Sequence, residues 1–145
     1  NTPKWISFIG DRNLQTVEDA QNYIKDRMLP QLEKLGFSNN SVILKDGNKK
    51  IGVCGLYCRG NSLDELELGF ALLPEFEQKG LGNESAARLI EFGFTNLPTQ
   101  RIKAITNFYN LDSQKLLQKL GFSFVKDEIE DNGEEVKVYL LNKNS

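Results

Sequence analysis

The stretch from Glu65 to Asn83 constrains this chain most. Glu65 to Leu72 alternates strictly. Leu66, Leu68, Phe70 and Leu72 fall on one face and Glu65, Glu67, Gly69 and Ala71 on the other, the period-two pattern of a strand. Pro74 closes it. The segment Glu77-Gln78-Lys79-Gly80-Leu81-Gly82-Asn83 then carries two closely spaced glycines into an amphipathic helical pattern that runs to about Phe94. A strand, a glycine turn and a helix start point backbone N–H groups outward, where the helix dipole favours negative charge. Without a Cβ in the way, a ligand can approach that backbone closely. The expectation is a phosphate-bearing ligand; a plain tight turn is the competing reading.

Two common phosphate motifs do not fit. A dinucleotide fingerprint opens its domain in a βαβ unit and has a third small residue after the second glycine; here Ser85 takes that place and three strands precede the turn. A P-loop is excluded because no glycine is followed by Lys and then Ser or Thr.

Composition narrows the chemistry. The chain has 145 residues, enough for one domain with a real core but not for two. Its net charge of −2 supplies no basic field for nucleic acid. No apolar run approaches the roughly 18–20 residues that span a bilayer, and Asn1 to Trp5 lacks the signature of a signal peptide. There is no histidine, which removes the commonest general base and metal ligand and excludes Ser-His-Asp and Cys-His schemes within one subunit. Acid–base work falls to carboxylates, Tyr, Lys, Ser, backbone or water. Cys54 and Cys58 share one face of a strand-like run and read as two reduced thiols of a cytoplasmic protein, with no cluster to hold a metal.

The rest of the chain gives a regular series. Thr16 and Asp19 form a capping box ahead of a helix that Pro30 breaks or kinks and Gly36 ends. Ser41 to Lys45 and Ile51 to Cys58 read as an antiparallel pair around Asp46-Gly47-Asn48. After the Asn83–Phe94 helix come a strand from Arg101 to Thr106, a helix from Asp112 to Leu120 ended by Gly121, and strands at Phe124–Ile129 and Glu135–Leu141 around Asn132-Gly133. The order is helix, strand, strand, strand, helix, strand, helix, strand, strand. This is an α/β chain of the α+β type with a mixed, mostly antiparallel sheet. Its one crossover helix makes the Glu65 and Arg101 strands parallel neighbours.

Motifs in this order resemble one family. Glu67-Leu68-Gly69-Phe70, Leu73-Pro74-Glu75-Phe76 and Lys79-Gly80-Leu81-Gly82 look like the core of the GNAT superfamily of acetyl-CoA-dependent N-acetyltransferases. Phe8-Ile9-Gly10-Asp11-Arg12, Asn110-Leu111-Asp112-Ser113-Gln114-Lys115-Leu116-Leu117 and Lys119-Leu120-Gly121-Phe122 look like its ribosomal-protein N-terminal acetyltransferase branch. The resemblance runs from about Trp5 to Leu141. It implies a single N-acetyltransferase domain over residues 1–145, with splayed parallel central strands and with the family's first strand and helix missing ahead of Asn1.

The resemblance also implies roles. Backbone N–H groups of Gln78, Lys79, Gly80, Leu81, Gly82 and Asn83 would cradle the pyrophosphate of acetyl-CoA. The backbone of Phe70, Ala71 and Leu72 would bind its amide arm as a pseudo-strand, and a strand N–H would polarise the thioester carbonyl. Asn110 would hold the arm from the other side, or serve as a helix N-cap, or both. Glu67 is the expected general base, direct or through a water, with Glu65 second and a solvated carboxylate the plain reading. Ser113 would hydrogen-bond the departing sulfur or only begin its helix, since Leu117 stands where many members have Tyr. Two further departures bear on the site. Glu77 puts a carboxylate near the pyrophosphate, and Gln78 fills a place where Gly is common, so its φ should be negative. The implied activity is acetyl transfer from acetyl-CoA to a primary amine, foremost a protein N-terminal α-amine. The alternatives are a small amine or polyamine acceptor, and a non-catalytic acyl-CoA-binding module. No nucleic acid, membrane or metal is implied, and the chain is read as a monomer or homodimer.

Overall fold

The computed structural model describes residues 2–144. Among them are six strands: β1 (Asn39–Leu44), β2 (Lys49–Tyr57), β3 (Glu65–Leu72), β4 (Arg101–Asn107), β5 (Ser123–Ile129) and β6 (Glu135–Asn142). They form one sheet in the order β1-β2-β3-β4-β6-β5. Only β3 and β4 run parallel; the other four pairings are antiparallel. The helices are α1 (Pro3–Phe8), α2 (Val17–Tyr23), α3 (Leu29–Leu35), α4 (Leu81–Asn96) and α5 (Leu111–Lys119). Helix α4 is the expected crossover between the parallel strands.

The expected order omits α1. Its signals are local: the Thr2 side chain accepts from the Trp5 N–H, and proline stands in the first turn, where its missing N–H costs nothing. The Thr16–Asp19 capping box forms as read. Pro30 does not stop the helix. The chain passes through a π-helical turn at Ile24–Met28, which puts Pro30 in the first turn of α3 and spares a broken hydrogen bond. Gly36 ends α3 in the left-handed conformation, φ 81°. Gln31 ties α3 to the sheet: its side-chain NH2 donates to the Phe37 and Leu56 carbonyls at 3.0 and 2.9 Å, and its carbonyl accepts from Cys58 N–H at 3.0 Å.

The core lies between the sheet and the pair α4, α5. Leu56, Leu66, Leu68, Ile102 and Ala104 from three adjacent strands meet Ala86 of α4 and Leu117 of α5, each 3% exposed or less. The even-numbered face of β3 is therefore the buried one at its start, as its alternation indicates. Cys54 joins this core, and burial pushes its thiol up to about 12.

The two strands that matter most are pinned at their starts. Thr99 is fully buried, with its hydroxyl 3.1 Å from the Asp64 carbonyl and 2.9 Å from that of Arg101. The N–H groups of Gln100 and Arg101 also donate to Asp64 O, at 2.9 and 3.1 Å. The loops entering β3 and β4 are thus tied together before the strands begin.

Candidate functional site

Ladder pairing between β3 and β4 covers only Glu65↔Arg101, Leu66↔Ile102 and Glu67↔Lys103. Yet β3 continues to Leu72 and β4 to Asn107. Past Glu67 the strands part and leave main-chain groups facing a gap. On the far side of β3 the Leu73 N–H donates to Ile51 O at 2.8 Å, and the register from Glu67↔Tyr57 to Leu72↔Gly52 is unbroken. Antiparallel alternation then turns the main-chain groups of Ala71 toward β2 and those of Phe70 and Leu72 into the gap. Ala71 lines the gap with its surface, but its N–H and C=O are spent on β2.

The glycine turn closes one end of this gap. Gly80 is the N-cap of α4 with φ 79° and no side-chain cap, and the first N–H inside the helix to find a helical carbonyl is that of Glu84, on Gly80 O at 3.0 Å. The N–H groups of Leu81, Gly82 and Asn83 are left as open donors at the positive end of α4. A Cβ on Gly82 would fall 3.5 Å from Leu116 and 3.7 Å from Leu72. Glycine there keeps the floor low between strand and helix. Asn83 holds a buried side-chain oxygen with no hydrogen-bond partner among the described residues.

These features line a cleft of about 420 Å³. Gly80, Gly82, Asn83 and Gln78 form its end at the N-terminus of α4, and Phe70 and Leu72 its strand wall. Asn110 and Ser113 face it from α5. Asn110 caps that helix, its side-chain oxygen accepting the Ser113 N–H at 3.3 Å, so its NH2 group is not used in the cap. Lys79 and Leu81 do not line the cleft with side chains; the Lys79 ammonium lies 5.8 Å from the Phe76 ring. Leu117 is 1% exposed and belongs to the core, which leaves Ser113, one turn earlier, as the hydroxyl of α5 at the cleft.

Gln78 departs from expectation. Its φ is +58°, left-handed, and not negative. Its side chain reaches across the cleft, Nε2 donating to Asp112 Oδ2 at 3.4 Å. Glu77 lines the cleft and does not turn to open solvent; it accepts from Lys4 at 2.7 Å.

Glu67 lies elsewhere. It lines a second concavity of about 420 Å³ with Arg59, Asp64, Glu65, Arg101 and Lys103. As the last paired residue of β3 it stands where the strands begin to part. Its carboxylate is 3.6 Å from Arg59 Nε, while Glu65 pairs with Arg101 at 2.7 Å and Lys103 at 3.7 Å. The Tyr57 ring covers Gly69 on this side, leaving no room for a Cβ. Burial pushes the Tyr57 phenol up to about 12.

Some cleft residues escaped sequence reasoning. Lys4, Trp5 and Phe8 enter from α1, and Lys115 and Lys119 lie one turn apart along α5. The i, i+4 spacing of the two lysines was a visible signal; the approach of α1 was not. The arrangement can hold an extended, amide-bearing chain between parted strands with an anionic group on the open N–H groups of α4.

Residues 1–123 match the model of the acetyltransferase (GNAT) domain. The uncharacterized N-acetyltransferase p20 of Bacillus licheniformis is 31% identical over 144 residues, covering 97% of this chain and 80% of that protein. Among solved structures, spermidine N-acetyltransferase from Vibrio cholerae in complex with CoA and spermine superposes with a TM-score of 0.82 at 15% identity, over 99% of this chain and 85% of the other. RimL, a ribosomal L7/L12 alpha-N-protein acetyltransferase in complex with coenzyme A, superposes with a TM-score of 0.79 at 14% identity, over 90% and 75%. At such identities the structural likenesses speak for the fold.

Proposed function

The chain belongs to the GNAT family of acetyl-CoA-dependent N-acetyltransferases, and from this premise we propose that it acetylates the N-terminal α-amine of a protein or peptide. The observation that carries the reading is the meeting of parted parallel strands with three uncapped N–H groups at one cleft. A pantetheine-like arm needs unpaired strand groups, and a diphosphate needs oriented donors without a Cβ in the way. Phe70 and Leu72 offer the first; Leu81, Gly82 and Asn83 offer the second, with Gly80 as the N-cap and Gln78 shaping the turn.

Acetyl-CoA supplies an activated thioester acetyl group. The residues of the chain supply the rest. A cleft-facing N–H of the β3 edge donates to the carbonyl oxygen as negative charge develops there. Asn110 donates its free NH2 group to the bound arm. Glu67, at the fork of the strands, accepts the proton that an ammonium acceptor must lose, directly or through one water. Ser113 donates a hydrogen bond to the departing sulfur.

Charge around Glu67 favours a peptide over a polyamine. Its concavity sets Arg59, Arg101 and Lys103 against Asp64, Glu65 and Glu67, and Glu65 and Glu67 both have cationic neighbours. A polyamine, the second reading, calls for carboxylates in excess; a peptide carries groups of both signs.

Calorimetric titration with CoA, followed by acetylation assays on peptides and polyamines, tests the proposal. Wild-type protein should bind CoA and turn over peptide amines. Glu67→Gln should lose about 100-fold in kcat and keep its CoA affinity. Binding without turnover of any amine would favour an acyl-CoA-binding module; no CoA binding would overturn both.

A further inference from the structure

Glu77 and Asp112 face each other across the anion-binding end of the cleft. Glu77 lies in the turn before α4, and Asp112 in the first turn of α5. Both line the cleft, as does Lys4 of α1. The Lys4 ammonium donates to Glu77 Oε2 at 2.7 Å and lies 3.7 Å from Asp112 Oδ2. The Gln78 side chain donates to the same Asp112 oxygen at 3.4 Å. One cation thus joins two carboxylates from opposite walls, and the clasp is built from segments 73 residues apart.

Without the ammonium this end of the cleft presents two carboxylates to any anion seated on the α4 N–H groups. Carboxylates lining the same cleft repel such an anion. With it, Glu77 and Asp112 share a counter-charge and their oxygens point at Lys4. Lys115 and Lys119, further along α5, have no carboxylate partner among the described ion pairs.

Resting on the acetyl-CoA reading above, we infer that Lys4 is a positioning residue for the diphosphate of the cofactor, which it serves by offsetting one of the two negative charges of Glu77 and Asp112 and drawing their oxygens to itself, so that the backbone cradle accepts an anion. Lys4 acts on the ligand through the carboxylates and not by touching the phosphates. The Glu77 carboxylate, unfavourable by itself, becomes tolerable because α1 delivers its partner.

The test measures Kd for CoA by calorimetry in wild type, Lys4→Met, Glu77→Gln and the double variant, at low ionic strength. Pantetheine, which lacks the phosphates, is titrated in parallel by the fluorescence of Trp5, the one tryptophan of the chain and a cleft residue. The Lys4 side chain is 43% exposed, so its replacement does not threaten the fold. Lys4→Met should weaken CoA binding about tenfold and leave pantetheine unchanged. Glu77→Gln alone should strengthen CoA binding about twofold, and the double variant should regain most of the loss. The deficit of Lys4→Met should shrink as salt is raised.

Equal CoA affinity with and without Lys4 overturns the inference. So does a matching loss for pantetheine, which would mark a merely structural role, and so does a double variant no better than Lys4→Met, which would make Lys4 a direct phosphate ligand. A wild-type protein that binds neither CoA nor pantetheine would overturn the acetyl-CoA reading itself, and this inference with it.

Discussion

Where β3 and β4 begin, main-chain groups are paired to saturation; where they end, the same two strands leave theirs open. At the start, Asp64 O takes three contacts, from Thr99 Oγ1, Gln100 N and Arg101 N, and three ladder pairs follow at once. Past Glu67 pairing ceases, although each strand continues and each keeps its outer neighbour, β2 or β6. The difference teaches that the opening is sustained from outside. With their outer edges fixed, the strands can part without fraying, and the pinned end sets the point from which they part. One end supplies rigidity and the other supplies hydrogen-bonding groups for a ligand.

The sharpest break in this comparison is to fill the open end. Gly82→Trp puts an indole between Leu72 and Leu116, and should abolish CoA binding, a loss beyond about 100-fold by calorimetry, while the far-UV circular dichroism stays that of the wild type. Loosening the pinned end comes next. Thr99→Val removes a buried hydroxyl and its hydrogen bond while Asp64 O keeps the N–H groups of Gln100 and Arg101, so urea unfolding should show a loss of about 0.5–1.5 kcal/mol. If the fork is set by this knot, the same variant should also bind CoA several-fold more weakly; unchanged binding would mean the fork is set by β2 and β6 alone. The smallest effect is expected at the turn. Gln78→Gly relieves a left-handed glutamine and should raise stability by about 0.5 kcal/mol in the same unfolding assay, the relief exceeding the added chain entropy of glycine.

Local signals carried far into the fold. The alternation of Glu65–Leu72 gave a strand with those bounds, and Thr16–Asp19, Gly36 and Gly121 marked helix ends through side-chain and φ requirements that a few residues settle. The Thr2-Pro3 start of α1 is an equally local signal. Contacts between distant segments were not legible. Lys4 meets Glu77, and Gln78 meets Asp112, only because the chain folds back on itself. The left-handed φ of Gln78 is not legible either, since a glutamine carries no local signal for that conformation. The separation of Glu67 from the main cleft likewise depends on which side of the fork its side chain takes, a property of the sheet and not of the motif.

The strand order has a kinetic side. β4 is bordered by β3 and β6, and β6 follows every other described element along the chain. Until β6 arrives, β4 has a free edge, and β5 cannot dock because it attaches to the sheet only through β6. The outer support of β4 is therefore complete only once the last strand has paired, a non-local contact of the kind that slows folding. A partly folded chain holding β1 to β4 would expose that unpaired edge beside an unfinished core, the kind of surface that chaperones hold and that aggregation recruits.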